Sequence, residues 1–218
     1  MKRAAAEIIA ELGPFDGVST VHGVTYDGQK IWFAAGAELI AITPEDGTKT
    51  KTLAAEADAG TAFDGTYFYQ IADNRINKID PETGAVLATI PAPGPGNGAV
   101  SGMAWAEGSL WVGQYRDRKI HKINPETGEI LHTITSDRFV TGITWVEDEL
   151  WHGTWENEQS DIRHIDATDG TVLARIDMPD GMGVSGMEFD GKDRFFCGGG
   201  NSGTVRVVRK NTWSKHKK

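Results

Sequence analysis

Within eight residues, ELWHGTWE (149–156), the chain places an imidazole, an indole and a carboxylate close together: His152, Trp155 and Glu156. Imidazole exchanges protons near neutral pH without needing a perturbed pKa. A carboxylate nearby can orient that ring or serve as its acid–base partner, and an indole supplies a stacking wall. The combination suits proton transfer on a small polar molecule, with His152 as acid or base and Glu156, His22 or Tyr115 assisting. Tyr69, Gln114, Arg116, Trp155, Glu188, Cys197 and Asn201 are the candidate substrate-binding residues. Arg116 could clamp a carboxylate, although RDRK (116–119) also reads as a self-compensating surface run. For Cys197 a small buried hydrophobe is the competing reading, because a reactive thiol needs an electropositive, accessible setting.

These residues fall within a repeat. Four segments end in one turn chemistry: ELIAITPEDG (38–47), RINKIDPETG (75–84), KIHKINPETG (119–128) and DIRHIDATDG (161–170). Their final glycines stand 37, 44 and 42 residues apart. In three of the four, Pro presets φ for a tight turn, and in all of them Gly supplies the positive φ that other residues resist. Flanking stretches such as KIHKI alternate with period two, which marks hairpins.

A second register runs alongside in HGVTYDGQKIWF (22–33), GTAFDGTYFY (60–69), SGMAWAEGSLWV (101–112), TGITWVEDELWH (141–152) and SGMEFDGKDRFF (185–196). Each unit therefore holds four short strands, and four-strand units at this period indicate a β-propeller. Five Gly-led strands predict an all-β, five-bladed propeller of four-stranded antiparallel blades. Residues 1–210 form the single domain, with 211–218 as a basic tail. The fifth unit lacks an outer strand. The N-terminal AAEIIAEL can supply it, closing the ring and covering a bare edge, whereas a short helix over Ala4–Leu12 is the reading that Ala and Glu propensity favours.

In a propeller the start of each inner strand and the end of each second strand converge at one mouth, where loops from every blade form a concavity. This reading aligns Trp151 with Trp32, Phe68, Trp111 and Phe195 as core. It aligns His152 with Phe33, Tyr69, Val112 and Phe196, and so places His152 at the mouth. Glu188 is the only acid at the third inner-strand position; its counterparts are Thr25, Ala62, Ala104 and Thr144. It faces either the channel or an arginine such as Arg194 or Arg206. The run CGGG (197–200) makes room for a neighbour or forms a bulge.

The units resemble those of glutamine cyclotransferase-type and virginiamycin B lyase-type propellers. The pattern is carried by GITWVEDELWHGTWENEQSDIRHIDATDGTVLARI, with its Gly-led aromatic strand, acidic turn, Leu-Trp pair and Asp-x-x-x-Gly turn. The five-blade count matches the cyclotransferases. The resemblance implies a lyase or a cyclising transferase. At two places glutaminyl cyclases of this type carry Gln and an acidic residue where this chain has His22 and Thr141-Gly142-Ile143-Thr144. A non-catalytic propeller that binds a partner protein or small ligand on the same face is the alternative.

Composition narrows the partners. The formal net charge of −9 repels phosphate backbones, so no nucleic-acid partner is expected. No apolar run reaches the roughly 18 residues that would span a membrane, so no membrane partner is expected, and a single cysteine is consistent with a cytoplasmic setting. Serine-hydrolase, zincin, P-loop and paired-cysteine zinc motifs are absent from the sequence. No cofactor is expected. A divalent cation in the central channel stays open as an alternative, with Asp73, Glu156, Glu188 and Asn201 as its sparse ligand set.

Overall fold

A computed structural model describes residues 1–94, 100–211 and 213. Two strands come first, β1 (Lys2–Ala5) and β2 (Ile8–Leu12). Blade 1 is β3 (Val24–Tyr26), β4 (Ile31–Ala34), β5 (Gly36–Ile42) and β6 (Lys49–Ala57). Blade 2 is β7 (Thr61–Phe63), β8 (Phe68–Ala72), β9 (Arg75–Ile79) and β10 (Val86–Pro91). Blade 3 is β11 (Val100–Ala106), β12 (Ser109–Gln114), β13 (Lys119–Ile123) and β14 (Ile130–Thr135). Blade 4 is β15 (Val140–Val146), β16 (Glu149–Thr154), β17 (Asp161–Ile165) and β18 (Val172–Asp177). Blade 5 has only β19 (Met187–Phe189), β20 (Arg194–Gly198) and β21 (Val205–Arg209) from its own stretch of chain. No helix occurs among the described residues, so none is long and apolar enough to cross a membrane.

The N-terminal segment closes the ring as a strand. β2 pairs antiparallel with β21 as the fourth strand of blade 5. Leu12 is buried in the seam beside Phe33, Ile40 and Phe196. One feature goes beyond the expected closure: β1 pairs in parallel with β18, from Lys2 opposite Ala174 to Ala5 opposite Asp177, making a fifth strand of blade 4. The first twelve residues thus strap two blades together and cover both outer edges, which suppresses edge-to-edge pairing.

The hairpin turns form as their chemistry dictates. Gly47, Gly84, Gly128 and Gly170 have φ between 73° and 81°. The Gly84 amide donates to Asp80 O at 2.9 Å, and the Asp80 carboxylate accepts from the Glu82 and Thr83 amides. Gly128 and Asn124 repeat the arrangement.

The core is distributed over five clusters, one at each blade–blade interface. Both faces of every blade are therefore dry, so alternate residues of the inner strands all pack. The Gly-led motif has a structural cause. A Cβ on Gly142 would stand 2.5 Å from Met187 N, and one on Gly186 2.5 Å from His22 O; Gly23, Gly60 and Gly102 are equally tight against the next inner strand. Glycine lets five inner strands approach closely around the axis.

Pairing register corrects the sequence alignment in two blades. Trp32, Trp111 and Trp151 pair with Thr25, Ala104 and Thr144, but their counterparts are Tyr69 opposite Ala62 and Phe196 opposite Glu188. His152 consequently corresponds to Phe33, Gln70, Val112 and Cys197. In blade 5 Phe189 pairs with Phe195, one residue further along than Tyr26 with Ile31 or Phe63 with Phe68, which shifts the register.

Candidate functional site

A cavity of about 380 Å³ opens where blades 3, 4 and 5 meet. Blade 3 contributes Tyr115, from just beyond β12. Blade 4 contributes Thr141 at the start of β15 and Trp155 just after β16. The connection to blade 5 adds Gly181, Gly183, Val184 and Ser185, while blade 5 itself gives Gly199 to Ser202 and Arg206. Tyr115 donates its hydroxyl to Trp155 O at 3.3 Å, joining the two aromatic rims. Trp155 rests on Gly183, where a Cβ would meet the indole at 3.2 Å.

Arg206 is the only charged side chain of the lining, and it is buried. Its Nε donates to Glu11 of β2 at 2.7 Å, Nη1 to Gly183 O at 3.3 Å and Nη2 to Ser202 Oγ at 3.2 Å. The glycine run explains how it fits. Cβ atoms on Gly198 and Gly199 would stand 2.5 Å from Ser185 Oγ and 3.1 Å from Arg206 Nη1, and Gly200 has φ +59°. Arg206 and Ser202 were not singled out as site residues in the sequence. The glycine run opposite them in the β20–β21 hairpin was the available signal.

Of the sequence-predicted residues, Tyr115, Trp155 and Asn201 line this cavity; Asn201 also accepts from Thr20 Oγ1 at 3.3 Å. The others lie elsewhere. His152 is fully buried, on the face of β16 it shares with Leu150, which packs on Trp111 and Ile120 of blade 3. Its Nδ1 approaches Gly153 O at 3.0 Å and Nε2 has no partner. Burial pulls its pKa down to about 4, so it is a neutral ring between blades, away from the mouth. The expected mouth position fails because both faces of the second strand are covered; the mouth begins only beyond its end. Gln70, its blade 2 counterpart, is likewise buried and bonded to Thr61 and Ala59.

Glu156 is half-buried and held by Arg118 Nη2 at 2.5 Å, with Arg138 at 4.0 Å. Tyr69 stacks on Trp105 at 5.4 Å between blades 2 and 3. Gln114 is buried, bonded to Pro93 O and His121. Arg116 is solvent-exposed. His22 is half-buried near Asp58, and burial lowers its pKa. Cys197 lies in the core between blades 4 and 5, its thiol pushed up to about 12 by burial.

Glu188 faces the channel, and neither arginine is its partner: Arg194 pairs with Asp190 and Arg206 with Glu11. One carboxylate oxygen accepts from Thr144 Oγ1 of blade 4 and from the Phe189 amide at 2.9 Å; the other accepts from Thr25 Oγ1 of blade 1 at 3.2 Å. Protein surrounds the carboxyl and raises its pKa to about 7, the three hydrogen bonds opposing the shift. The residue keeps some accessible surface, as expected for a channel position. Among the described residues no three His, Cys, Asp or Glu side chains cluster as a cation site.

The fold is shared with solved structures. The chain superposes on the glutaminyl cyclase of Myxococcus xanthus with a TM-score of 0.77 at 17% identity, covering 95% of this chain and 97% of that one. The WD40 β-propeller domain of Doa1 matches at 0.55 and 11% identity over 95% and 98%. A chain of the mitotic checkpoint complex matches at 0.55 and 16% over 87% and 63%. No protein-family model and no curated protein sequence matches.

Proposed function

We propose that this propeller binds a small polar molecule in the cavity between blades 3, 4 and 5. The supporting observation is the lining: an aromatic rim, four hydroxyls counting that of Tyr115, and one buried guanidinium around a volume typical of small-ligand sites. A flat docking face for a partner protein would not carry such a recess.

Binding without proton transfer is the reading the geometry supports best. The lining contains no carboxyl or imidazole. Burial together with the Glu156 charge raises the pKa of the Tyr115 phenol, away from a useful base. The second reading, a lyase or cyclising transferase with His152 assisted by His22, Tyr115 or Glu156, draws its support from the fold shared with the Myxococcus glutaminyl cyclase.

A thermal-shift screen of metabolites tests the binding site. A ligand at a hundredfold excess over Kd stabilises by about 2.7 kcal/mol, a rise of several degrees at roughly 2–4 °C per kcal/mol. The rise should disappear in Trp155→Ala and shrink in Asn201→Ala. If it persisted in both, the ligand would be bound elsewhere. Turnover of a hit by the wild type that is lost in His152→Ala, with folding intact, would establish the enzyme reading instead.

A further inference from the structure

The inner strands of blades 3, 4 and 5 begin with equivalent hydroxyl residues, Ser101, Thr141 and Ser185, and each packs against a glycine of its own second strand, Gly113, Gly153 or Gly198. Ser101 Oγ donates to Val140 O at 2.8 Å, and Ser185 Oγ to Val21 O at 2.6 Å. Each thus ties its blade to the backbone of the next. Thr141 breaks the pattern. It is only 7% exposed, yet its Oγ1 has no partner, and the residue lines the cavity. A buried hydroxyl without a partner carries a desolvation cost that a bound group can relieve.

Arg206 is incompletely satisfied in the same cavity. A guanidinium has five N–H donors, and three hydrogen bonds are formed. One N–H on each terminal nitrogen remains without a partner, and a carboxylate is the acceptor a guanidinium takes best. Glu11 already pairs with the guanidinium through Nε, and the lining holds no lysine or second arginine, so no spare cation is present for a dianion such as phosphate. Trp155 and Val184 offer an apolar wall beside it.

We propose that the cavity selects a small monocarboxylate, its carboxylate on the remaining Arg206 N–H groups, its apolar body against Trp155 and Val184, and Thr141 completing the polar contacts. The proposal rests on the reading of the cavity as a small-molecule site and adds the ligand class. Gly199 is a positioning element: its missing side chain leaves space for Ser202 Oγ and the Arg206 head.

The test is titration calorimetry of the full chain with four acids, phenylacetate, 4-hydroxyphenylacetate, 3-phenylpropanoate and hexanoate, each against its primary amide, and with inorganic phosphate. At least one acid should bind with its amide weaker by about ten- to hundredfold, and phosphate should not compete. Arg206→Gln should lose that preference. Because Arg206 also anchors β2, Thr141→Val serves as the second variant. Its hydroxyl holds nothing in the fold, so the midpoint should stay unchanged while acid affinity falls about fivefold. Amides binding as well as acids, or undiminished acid binding in both variants, would overturn the carboxylate while leaving the cavity as a small-molecule site. Failure of every acid and amide also overturns it, and the wider metabolite screen then judges the cavity itself.

Discussion

Blade 5 buries an ionisable group at two levels, Arg206 beside the cavity and Glu188 in the channel, and the two are satisfied differently. Both Glu188 oxygens are occupied by protein donors, drawn from the two flanking blades and its own strand. Arg206 keeps two N–H groups without a partner, next to a threonine hydroxyl that also has none. A polar group that the protein satisfies completely is part of the architecture; one that it desolvates and leaves partly bare is poised for something external. Location separates them too. Glu188 lies among inner strands locked by neighbouring backbones, whereas Arg206 depends on a segment nearly two hundred residues away in sequence.

That dependence gives the largest expected effect. Deleting residues 1–12 removes the partner of Arg206, the buried Leu12 and the cover of two blade edges. The loss of the Leu12 and Ile8 packing and the Glu11 contact is ~5 kcal/mol, a fall in melting midpoint of roughly 10–20 °C. A truncated chain as stable as the full one would show that the strap is ornamental.

Next is Gly142→Ala, which pushes a Cβ into the Met187 amide and forces the inner strands of blades 4 and 5 apart beside Glu188. The expected cost is about 3 kcal/mol, read by chemical denaturation. Gly181→Ala, on the cavity side where a Cβ meets open space but φ is +74°, should cost about 1 kcal/mol.

A pH series on Glu188→Gln separates the two levels further. The folded pKa near 7 lies above the ordinary value of 4.5. The protonated form is therefore favoured by folding, its stability contribution is intact below pH 4.5, and it is lost as pH rises to 7. Across that window it amounts to roughly 3 kcal/mol. His22, His121, His152 and His164 are depressed by burial and act in the opposite direction below 6.5, so the quantity to measure is the difference between wild type and Glu188→Gln. That difference should tilt against the wild type as pH rises from 4.5 to 7, and a flat one would remove the assignment. Ligand affinity should be unaffected by this substitution. The smallest stability effect is that of Thr141→Val, within about 0.5 kcal/mol of zero, where only binding should respond.

Much of the fold was legible because its determinants are local. The Pro-Glu-Thr-Gly turns, the period-two strands and the Gly-led motif each act within a few residues, and their repetition counted the blades. The missing fourth strand of the last unit pointed to the N-terminus as its source. The site was only partly legible. Tyr115, Trp155 and Asn201 reach the cavity because they follow strand ends, where any propeller has its mouth. His152 was misplaced because alternation along a strand says which residues share a face, but not that another blade covers it. Tyr69 keeps the spacing of Trp32, Trp111 and Trp151 from its leading glycine, whereas Phe196 stands one residue further on; matching Phe68 and Phe195 instead slips by one residue and exchanges the faces.

The sequence alone determined the architecture, through turn chemistry, strand periodicity and the glycines that let five inner strands converge. Only the tertiary structure decided which polar groups are satisfied. The partners of Glu188 come from blades 1 and 4, the anchor of Arg206 comes from the opposite end of the chain, and the Thr141 hydroxyl lacks the backbone acceptor that Ser101 and Ser185 find. Hydrogen bonding and burial are properties of neighbours in space, and those neighbours are set by closure of the ring.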